Sequence, residues 1–367
     1  MDDRDLPRKM HNGKRVKAYY AYDVTSGCII GAAYAQTKDK ALFINCMRDM
    51  FRFINAHSLG MPMEVEVEHH LVNSYKDDLM KAGTVFPFVR WANPGNAQEK
   101  YAETLNRVKK YGYEKRYQNG IGRFYSRLEA NRTHREKIFD ARNNTYKEKT
   151  YNFEALIADD RMTIEMMNND LHPNQKRYKG MTRLEVLLYC VNPNLAQYDP
   201  ALLARYIGER TPTSVCRSQY VRVQYVKYQL PTPQILSRLQ PNNYNVDAFW
   251  IPGENGLIDR VYLYQDDAFI CACDKITTYN TANAEQTRSD RETYQRQAEY
   301  VGRFDGMVKN NKKVSRVALI SASQVQPPEP DLITVEAPAA EDPEGDFQAA
   351  IAGFSGAHWR EKARADI

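Results

Sequence analysis

The stretch that decides the fold is residues 63–110, MEVEVEHHLVNSYKDDLMKAGTVFPFVRWANPGNAQEKYAETLNRVKK. It opens with strict alternation, since Val65 and Val67 fall on one face of an extended chain. The other face carries three acids, Glu64, Glu66 and Glu68. Alternation of this kind predicts a half-buried β-strand. The charged face then leaves acidic side chains at the end of that strand.

The rest of this stretch predicts a repeated strand and helix. Residues 74–81 have a short helical pattern, and residues 84–91 (TVFPFVRW) are rich in strand formers. Pro94 and Gly95 then break the chain, and Asn96 is suited to cap a following helix. We therefore expect a basic, amphipathic helix over residues 99–110.

One face of that helix combines an acid with cations. Lys100, Glu103 and Arg107 have the spacing that places them together. An acid between cations, facing an acid at a strand end, suits a divalent metal beside a phosphate. The same pattern also suits a solvated, salt-bridged helix next to an acidic edge strand.

Residues 96–107 (NAQEKYAETLNR) resemble the last catalytic motif of DDE transposases and retroviral integrases. In that motif a Gly/Asn-rich turn leads into a helix with Lys three residues before the catalytic Glu. The resemblance makes that residue Glu103, with Glu99 as the close alternative. Residues 60–70 (GMPMEVEVEHH) resemble the second motif, in which an acid ends the fourth strand of an RNase H-like sheet. That position is Glu68, where the family usually has Asp.

The first acid of the family should lie one strand before a β-hairpin. Residues 14–36 have the pattern of such a hairpin, with a turn at Ser26 and Gly27. Asp23 matches a structural acid of the family, and we interpret it as capping the turn. The catalytic acid must then come from MDDRDLP at the start of the chain. Asp2, Asp3 and Asp5 compete, and we choose Asp2 because it follows an apolar residue.

The remaining patterns extend the same fold. Residues 38–57 predict a helix with one broad apolar face, made by Leu42, Ile44, Cys46, Met47, Met50, Phe51 and Ile54. Residues 153–167 predict a further helix, and Thr182 with Glu185 predicts a capping box. The order of elements is that of an RNase H-like α/β core with a mixed five-stranded sheet and flanking helices.

The whole layout resembles the transposase family of phage Mu. We expect a catalytic core over 1–150, a helical extension over 151–212, and a small β-barrel over 213–280 with turns at PGENG and QDD. A basic helical segment over 281–325 and an acidic, Pro-rich linker with a docking segment over 326–367 follow. The tail is expected to be helical in part and otherwise disordered. Relative to the family, domains that bind the element's ends are missing at the N-terminus, which predicts a truncated product.

Composition favours a nucleic-acid partner inside the cell. The net charge is +5, of which residues 1–325 carry +11 and residues 326–367 carry −6, and there are 25 tyrosines. Six cysteines without zinc spacing indicate reduced thiols, and no apolar run has the length of a signal peptide or membrane span. We therefore predict a cytoplasmic protein without membrane contact.

The resemblance implies Mg²⁺ (or Mn²⁺) held by Asp2, Glu68 and Glu103, with nicking and strand transfer of double-stranded DNA. Cations expected to bind DNA are Lys100, Arg107, Lys109, Lys110, Arg116 and Arg123. Implied partners are element ends and target DNA, further copies of the chain on that DNA, and an ATP-dependent target-selection protein at the tail. A degenerate DNA-binding remnant is the alternative. A third possibility, an RNase H-type nuclease, would need further acids late in the core, for which Asp140 and Asp159 are the candidates. His69 and His70 either form a polar strand end, or one of them touches metal or substrate.

Overall fold

A computed structural model describes residues 1–93, 100–118, 137–253, 255–282 and 284–311. The chain begins with an antiparallel sheet of β1 (Asp2–Lys9), β2 (Arg15–Tyr22) and β3 (Ile29–Ala35), in that order. The predicted hairpin is confirmed. Asp23 caps its turn, because its Oδ2 accepts from the Ser26 backbone N–H at 2.7 Å and from the Ser26 hydroxyl at 2.6 Å.

Helix α1 (Lys40–Ala56) covers one face of this sheet. Asp39 caps it by accepting from the Leu42 N–H at 3.0 Å. The predicted apolar face is buried except for Ile44, which is half-buried, and it also includes Phe43. A Cβ added to Gly31 would lie 2.8 Å from the Cβ of Met50, so the glycine lets α1 approach β3 closely.

Two parallel strands, β4 (Glu64–Glu68) and β5 (Phe88–Ala92), form the next ladder. Between them the chain turns helical at α2 (His69–Val72) and a 3₁₀ turn (Asn73–Tyr75), earlier than the predicted 74–81. The backbone nitrogen of Met1 donates to the Glu66 carbonyl at 2.6 Å. The strands predicted as one mixed sheet therefore form an antiparallel ladder and a parallel ladder that meet at Met1.

The second face of the first sheet is covered by helices that follow. Helix α3 (Tyr101–Val108) continues through a π-helical turn (Lys109–Glu114) into α4 (Lys115–Tyr117). After a hairpin of β6 (Lys137–Asp140) and β7 (Thr145–Glu148), helix α5 (Phe153–Asn169) packs on Tyr20 and its neighbours. Asn168 on α5 covers the edge strand, since its amide both accepts from the Ile29 N–H and donates to the Ile29 carbonyl at 2.9 Å.

Two short helices lead to the second half. Helix α6 (Arg183–Tyr189) begins with the predicted capping box, in which Glu185 N–H donates to Thr182 Oγ1 at 3.2 Å and Thr182 N–H donates to Glu185 Oε2 at 2.7 Å. Helix α7 (Pro200–Ile207) begins at Asp199, which accepts from the Ala201 N–H. Sequence reasoning did not identify α7 as a separate element.

A six-stranded antiparallel sheet then curls almost into a barrel. Its strands are β8 (Glu209–Ser214), β9 (Tyr220–Val223), β10 (Val226–Gln229), β11 (Asn245–Trp250), β12 (Arg260–Gln265) and β13 (Ala268–Lys275), in the order β8-β11-β12-β13-β10-β9. Thr213 Oγ1 on β8 donates to the Arg222 carbonyl on β9 at 2.8 Å, across the gap. The predicted barrel is confirmed, although it begins at Glu209, inside the expected helical extension.

Helix α8 (Arg288–Asn311) packs on this barrel through Tyr300 and the buried Phe304, as expected for a helix within 281–313. By compactness the chain divides into Met1–Lys312 and Lys313–Ile367. The predicted acidic linker and docking segment over 326–367 lie outside the described residues, as do Pro94, Gly95 and Asn96. Within the described ranges, none of the helices is both long and apolar enough to cross a bilayer.

Candidate functional site

The first predicted acid lies where the two ladders meet. Asp2 begins β1, and its Oδ2 accepts from the Asn106 amide of α3 at 2.6 Å. Burial and the nearby charge of Glu68 raise the pKa of Asp2 to about 6, against the opposing hydrogen bond from Asn106. The carboxylates of Asp2 on β1 and Glu68 on β4 are therefore within electrostatic reach of each other.

The two competing acids of β1 are engaged elsewhere. Lys38 pairs with Asp3 at 2.7 Å, and Lys17 pairs with Asp5 at 2.7 Å. Strand alternation explains this, because Asp3 and Asp5 share the face opposite to Asp2. Of the three candidates, Asp2 is the one that contacts α3.

Lys100 forms an ion pair with Glu68 at the end of β4. Its ammonium donates to Glu68 Oε1, and its side chain is 11 % exposed. Burial disfavours the ammonium, but the Glu68 hydrogen bond and the charges of Glu68, Asp2 and Glu103 together raise the pKa of Lys100. Of the three predicted catalytic acids, Glu68 is the one that pairs with Lys100, a cation expected from the sequence to contact DNA phosphates.

Glu66 holds the start of α3 in place. Its Oε1 accepts from the backbone N–H of Tyr101 at 3.1 Å, and its Oε2 pairs with Arg90 at 2.9 Å. A carboxylate on the first free N–H groups of a helix acts as a cap and complements the helix dipole. This contact anchors Tyr101, the residue that follows Lys100, to β4.

Asn106 fixes the carboxylate of Asp2 from the other side. Its Nδ2 donates to Asp2, and its Oδ1 accepts from the Tyr22 hydroxyl at 2.6 Å. Both ends of the amide are used, so its orientation is set by its partners. Sequence reasoning missed Asn106 and Glu66. The signal for Asn106 was its place one turn after Glu103, on the face that turns toward β1 and β2.

The oxygen ligands at this site meet part of what a hard divalent cation needs. Asp2 and Glu68 supply carboxylate oxygens, and the raised pKa of Asp2 reflects a site where a cation would stabilise the ionised form. Mg²⁺ is commonly held by one or two carboxylates together with water and substrate phosphates. Within the described part of the chain, however, three or more His, Cys, Asp or Glu side chains do not gather closely enough to hold a metal ion. Glu103 thus lies near the pair without closing a three-ligand group.

The predicted DNA-binding cations divide into two groups. Arg107 and Arg116 are exposed on α3 and α4, and Lys110 is half-buried between them. Lys109 was wrongly expected at the surface, because its side chain is completely buried. Arg123 and the alternative acid Glu99 lie outside the described residues.

Lys109 belongs to a buried charge network beneath α3. Its ammonium donates to Asp160 of α5 and to Glu114 at 2.9 Å, and Arg4 pairs with Glu114 at 2.7 Å. The hydroxyls of Tyr20 and Tyr34 donate to Asp160 at 2.6 and 2.8 Å. Lys109 and Glu114 bound the π-helical turn, and this turn directs both side chains inward. The network thereby ties α3 to β1 and α5.

Cations lie over exposed tyrosines along the same helical segment. Arg90 lies 5.5 Å from the Tyr101 ring centroid, and Arg116 lies 5.8 Å from that of Tyr117. Tyr101 and Tyr117 are 55 % and 45 % exposed. Paired cations and aromatic faces are a common means of contacting phosphates and bases.

The remaining predicted residues have other partners. His69 stacks on Trp91 with ring centroids 4.7 Å apart. Asp140 pairs with Lys147 at 2.6 Å, and Asp159 pairs with Arg8 at 2.5 Å. Neither acid contacts Asp2 or Glu68 in the described structure, so the constellation of a nuclease with late core acids is not assembled.

Comparison of the chain with protein-family models and with curated proteins finds no match.

Proposed function

We propose that this protein is a DNA-processing enzyme of the DDE transposase and integrase class, acting through Asp2, Glu68 and Glu103. The observation that carries the proposal is that α3 and the residue before it contact two acids of different strands, since Asn106 donates to Asp2 of β1 and Lys100 donates to Glu68 of β4. The resemblance identified the same acids from sequence alone. An antiparallel ladder β1-β2-β3 beside parallel β4 and β5 supports an RNase H-like core, with the β4–β1 neighbourhood marked by Met1 and Glu66.

The chain's own residues would orient and neutralise the reacting DNA strand. Mg²⁺ or Mn²⁺ bound by Asp2 and Glu68 would supply the charge that stabilises a developing phosphorane-like oxyanion. Asn106 holds one oxygen of Asp2, and Lys100 holds one oxygen of Glu68. Lys100 would exchange this contact for a DNA phosphate when the strand binds. Arg107 and Arg116 would contact neighbouring phosphates from the exposed face of the helix.

The test is metal-dependent nicking of a supercoiled plasmid, followed by strand transfer of a 3′-hydroxyl oligonucleotide. Asp2→Asn, Glu68→Gln and Glu103→Gln should each lower the nicking rate by about 100-fold or more, as expected when a reacting-site carboxylate is lost. Glu68→Asp should retain nicking, because the resemblance has Asp at this position.

The matched control is Asp5→Asn on the same strand, since Asp5 pairs with Lys17 on the opposite face. It should nick as the parent does. All variants should keep the duplex affinity of the parent, which separates loss of chemistry from loss of folding. Equal nicking rates for Asp2→Asn and Asp5→Asn would remove the catalytic assignment.

A second function, DNA binding without strand chemistry, is favoured by two observations. Lys100 takes an oxygen of Glu68, and the described acids do not close a three-ligand metal group. In that case the parent would bind duplex DNA without nicking it in Mg²⁺ or Mn²⁺. Glu68→Asp would then be inactive as well.

A further inference from the structure

The hairpin of β9 and β10 lies at one end of the six-stranded sheet and carries a left-handed turn and a pair of opposed cations. It comprises residues 220–229, with a two-residue turn at Gln224 and Tyr225. Val221 and Tyr228 point into the barrel core, so the alternate residues point outward. On this outward face and at the tip, Arg222, Gln224, Tyr225 and Lys227 are exposed.

The turn places a bulky aromatic residue in the left-handed region. Gln224 and Tyr225 have φ of 46° and 65°, the geometry of a two-residue hairpin turn that favours Asn-Gly. A left-handed Tyr is disfavoured because its Cβ crowds the backbone. Tyr225 is also 101 % exposed, so no packing within the described chain compensates for this conformation. Such an outlier points to a role outside the fold.

Two cations face each other directly on the outward side. Arg222 and Lys227 are register partners in the antiparallel pair, and both are exposed. Like charges at directly opposed positions destabilise a hairpin. Within the described residues neither side chain forms an ion pair, and the Lys227 ammonium lies over the Tyr220 ring, 5.1 Å from its centroid. An anion between the two cations would relieve their repulsion.

We infer that this hairpin is a second DNA-contacting surface, in which Arg222 and Lys227 hold one backbone phosphate and Tyr225 packs against the adjoining sugar and base. The charge pattern favours DNA because a phosphate diester accepts from two cations at once, and a neighbouring aromatic ring then meets a sugar or base. The inference depends on the proposed function only in taking DNA as the polyanion. It does not involve Asp2, Glu68 or Glu103.

The test is fluorescence anisotropy of a labelled duplex with the full chain in EDTA, at several salt concentrations. Arg222→Gln/Lys227→Gln should bind about 5- to 10-fold more weakly at 0.1 M salt. The magnitude of its log–log salt slope should fall by about 0.9, the loss of one phosphate contact. Arg288→Gln is the control cation, because it lies on α8 in an ion pair with Glu292. It should bind as the parent does.

Substitution of Tyr225 allows a second test, in which stability and DNA affinity should change in opposite directions. Tyr225→Gly should raise the melting temperature, since glycine adopts positive φ without strain, while it weakens duplex binding. Tyr225→Phe should keep the affinity of the parent. Duplex affinities that match the control for both Arg222→Gln/Lys227→Gln and Tyr225→Gly would overturn the inference. The inference would also be overturned if these variants lost binding to polyglutamate of matched charge to the same extent. The hairpin would then contact polyanions in general.

These outcomes are distinct from those of the catalytic test. Loss of nicking in Asp2→Asn with unchanged duplex binding bears on the proposed function alone. Loss of binding in the hairpin variants, measured without metal, bears on the hairpin alone.

Discussion

At the scale of single residues, burial determines what each cation does. Lys100 and Lys109 are both lysines of one short basic segment, yet one neutralises Glu68 and the other is buried between Asp160 and Glu114. Two cations, Arg4 and Lys109, balance two acids, Glu114 and Asp160, away from solvent. A buried quartet of this kind stabilises the fold only while it is complete, because removing one member leaves an uncompensated charge.

Glu114 should make the free energy of unfolding depend on pH. Burial favours its protonated form, but Lys109 and Arg4 together lower its pKa below the ordinary value of 4.5. Its stabilising contribution is therefore present above about pH 4.5, the unfolded value, and is lost as pH falls through the lower folded pKa. Glu114→Gln should lower the free energy of unfolding by about 3–5 kcal/mol at pH 7.

Urea unfolding at pH 7, 5 and 3.5 measures this effect. The difference between parent and Glu114→Gln should shrink at the lowest pH, where the parent also loses the charge. Glu148→Gln is a suitable control, because Glu148 is exposed on β7. A difference that stays constant over the whole pH range would show that Glu114 contributes through packing rather than charge.

At the scale of elements, α3 is positioned by contacts at both of its ends. Glu66 accepts from the first turn, and the π-helical turn anchors the last turn through Lys109 and Glu114. The helix itself is short and carries no side-chain cap of its own. A helix of this length is stable only through such tertiary contacts. The position of Glu103 is therefore a property of the surrounding strands.

Glu66→Gln should loosen α3 without unfolding the protein. Loss of the charged cap and the Arg90 pair costs about 1–2 kcal/mol locally. Amide exchange over residues 101–106 should accelerate, and metal-dependent nicking should fall by about 10-fold because Lys100 and Glu103 are displaced. Glu64→Gln, an exposed position on the same strand, should alter neither. Unchanged exchange in α3 of the Glu66 variant would contradict its role as an anchor.

At the scale of the whole molecule, charge is distributed very unevenly. Residues 1–325 carry +11, and residues 326–367 carry −6. The exposed cations of α3, α4 and the β9–β10 hairpin belong to the basic part. If the basic part binds DNA as proposed, an acidic segment tethered to it would compete with DNA for the same cations.

Removal of residues 326–367 should therefore tighten binding to non-specific duplex DNA and steepen its salt dependence. Each additional phosphate contact adds about 0.9 to the magnitude of the log–log slope. Anisotropy titrations with one duplex at several salt concentrations measure both quantities. A variant with the nine tail acids replaced by Gln or Asn controls for chain length. If neither binds more tightly than the parent, the tail does not shield the basic surface.

The sequence did not predict where the barrel begins or all of its hairpins. The predicted barrel had turns at PGENG and QDD, but the left-handed turn at Gln224 and Tyr225 adds a further hairpin. A boundary at 212 falls inside β8, which pairs with β11 over Glu209–Ser214. Turns without Gly, Pro or Asn carry no local signal, so this one was visible only in the folded chain.

The sequence by itself determined the elements whose signals are local. Period-two alternation identified β4, the broad apolar face identified α1, and Asp23 and Thr182 were correctly interpreted as capping residues. These features depend on neighbours within a few residues, and a single sequence contains them completely.

The tertiary structure alone decided which charges meet. Lys100 reaches Glu68 across 32 residues, and Lys109 reaches Asp160 across 51. Sequence reasoning treated both lysines as surface cations because solvation is the ordinary fate of a charge. It could not rank Asp2 above Asp3 on physical grounds either, since that depends on which face of β1 turns toward Asn106. Long-range pairing is set by how elements pack, and no local pattern contains that information.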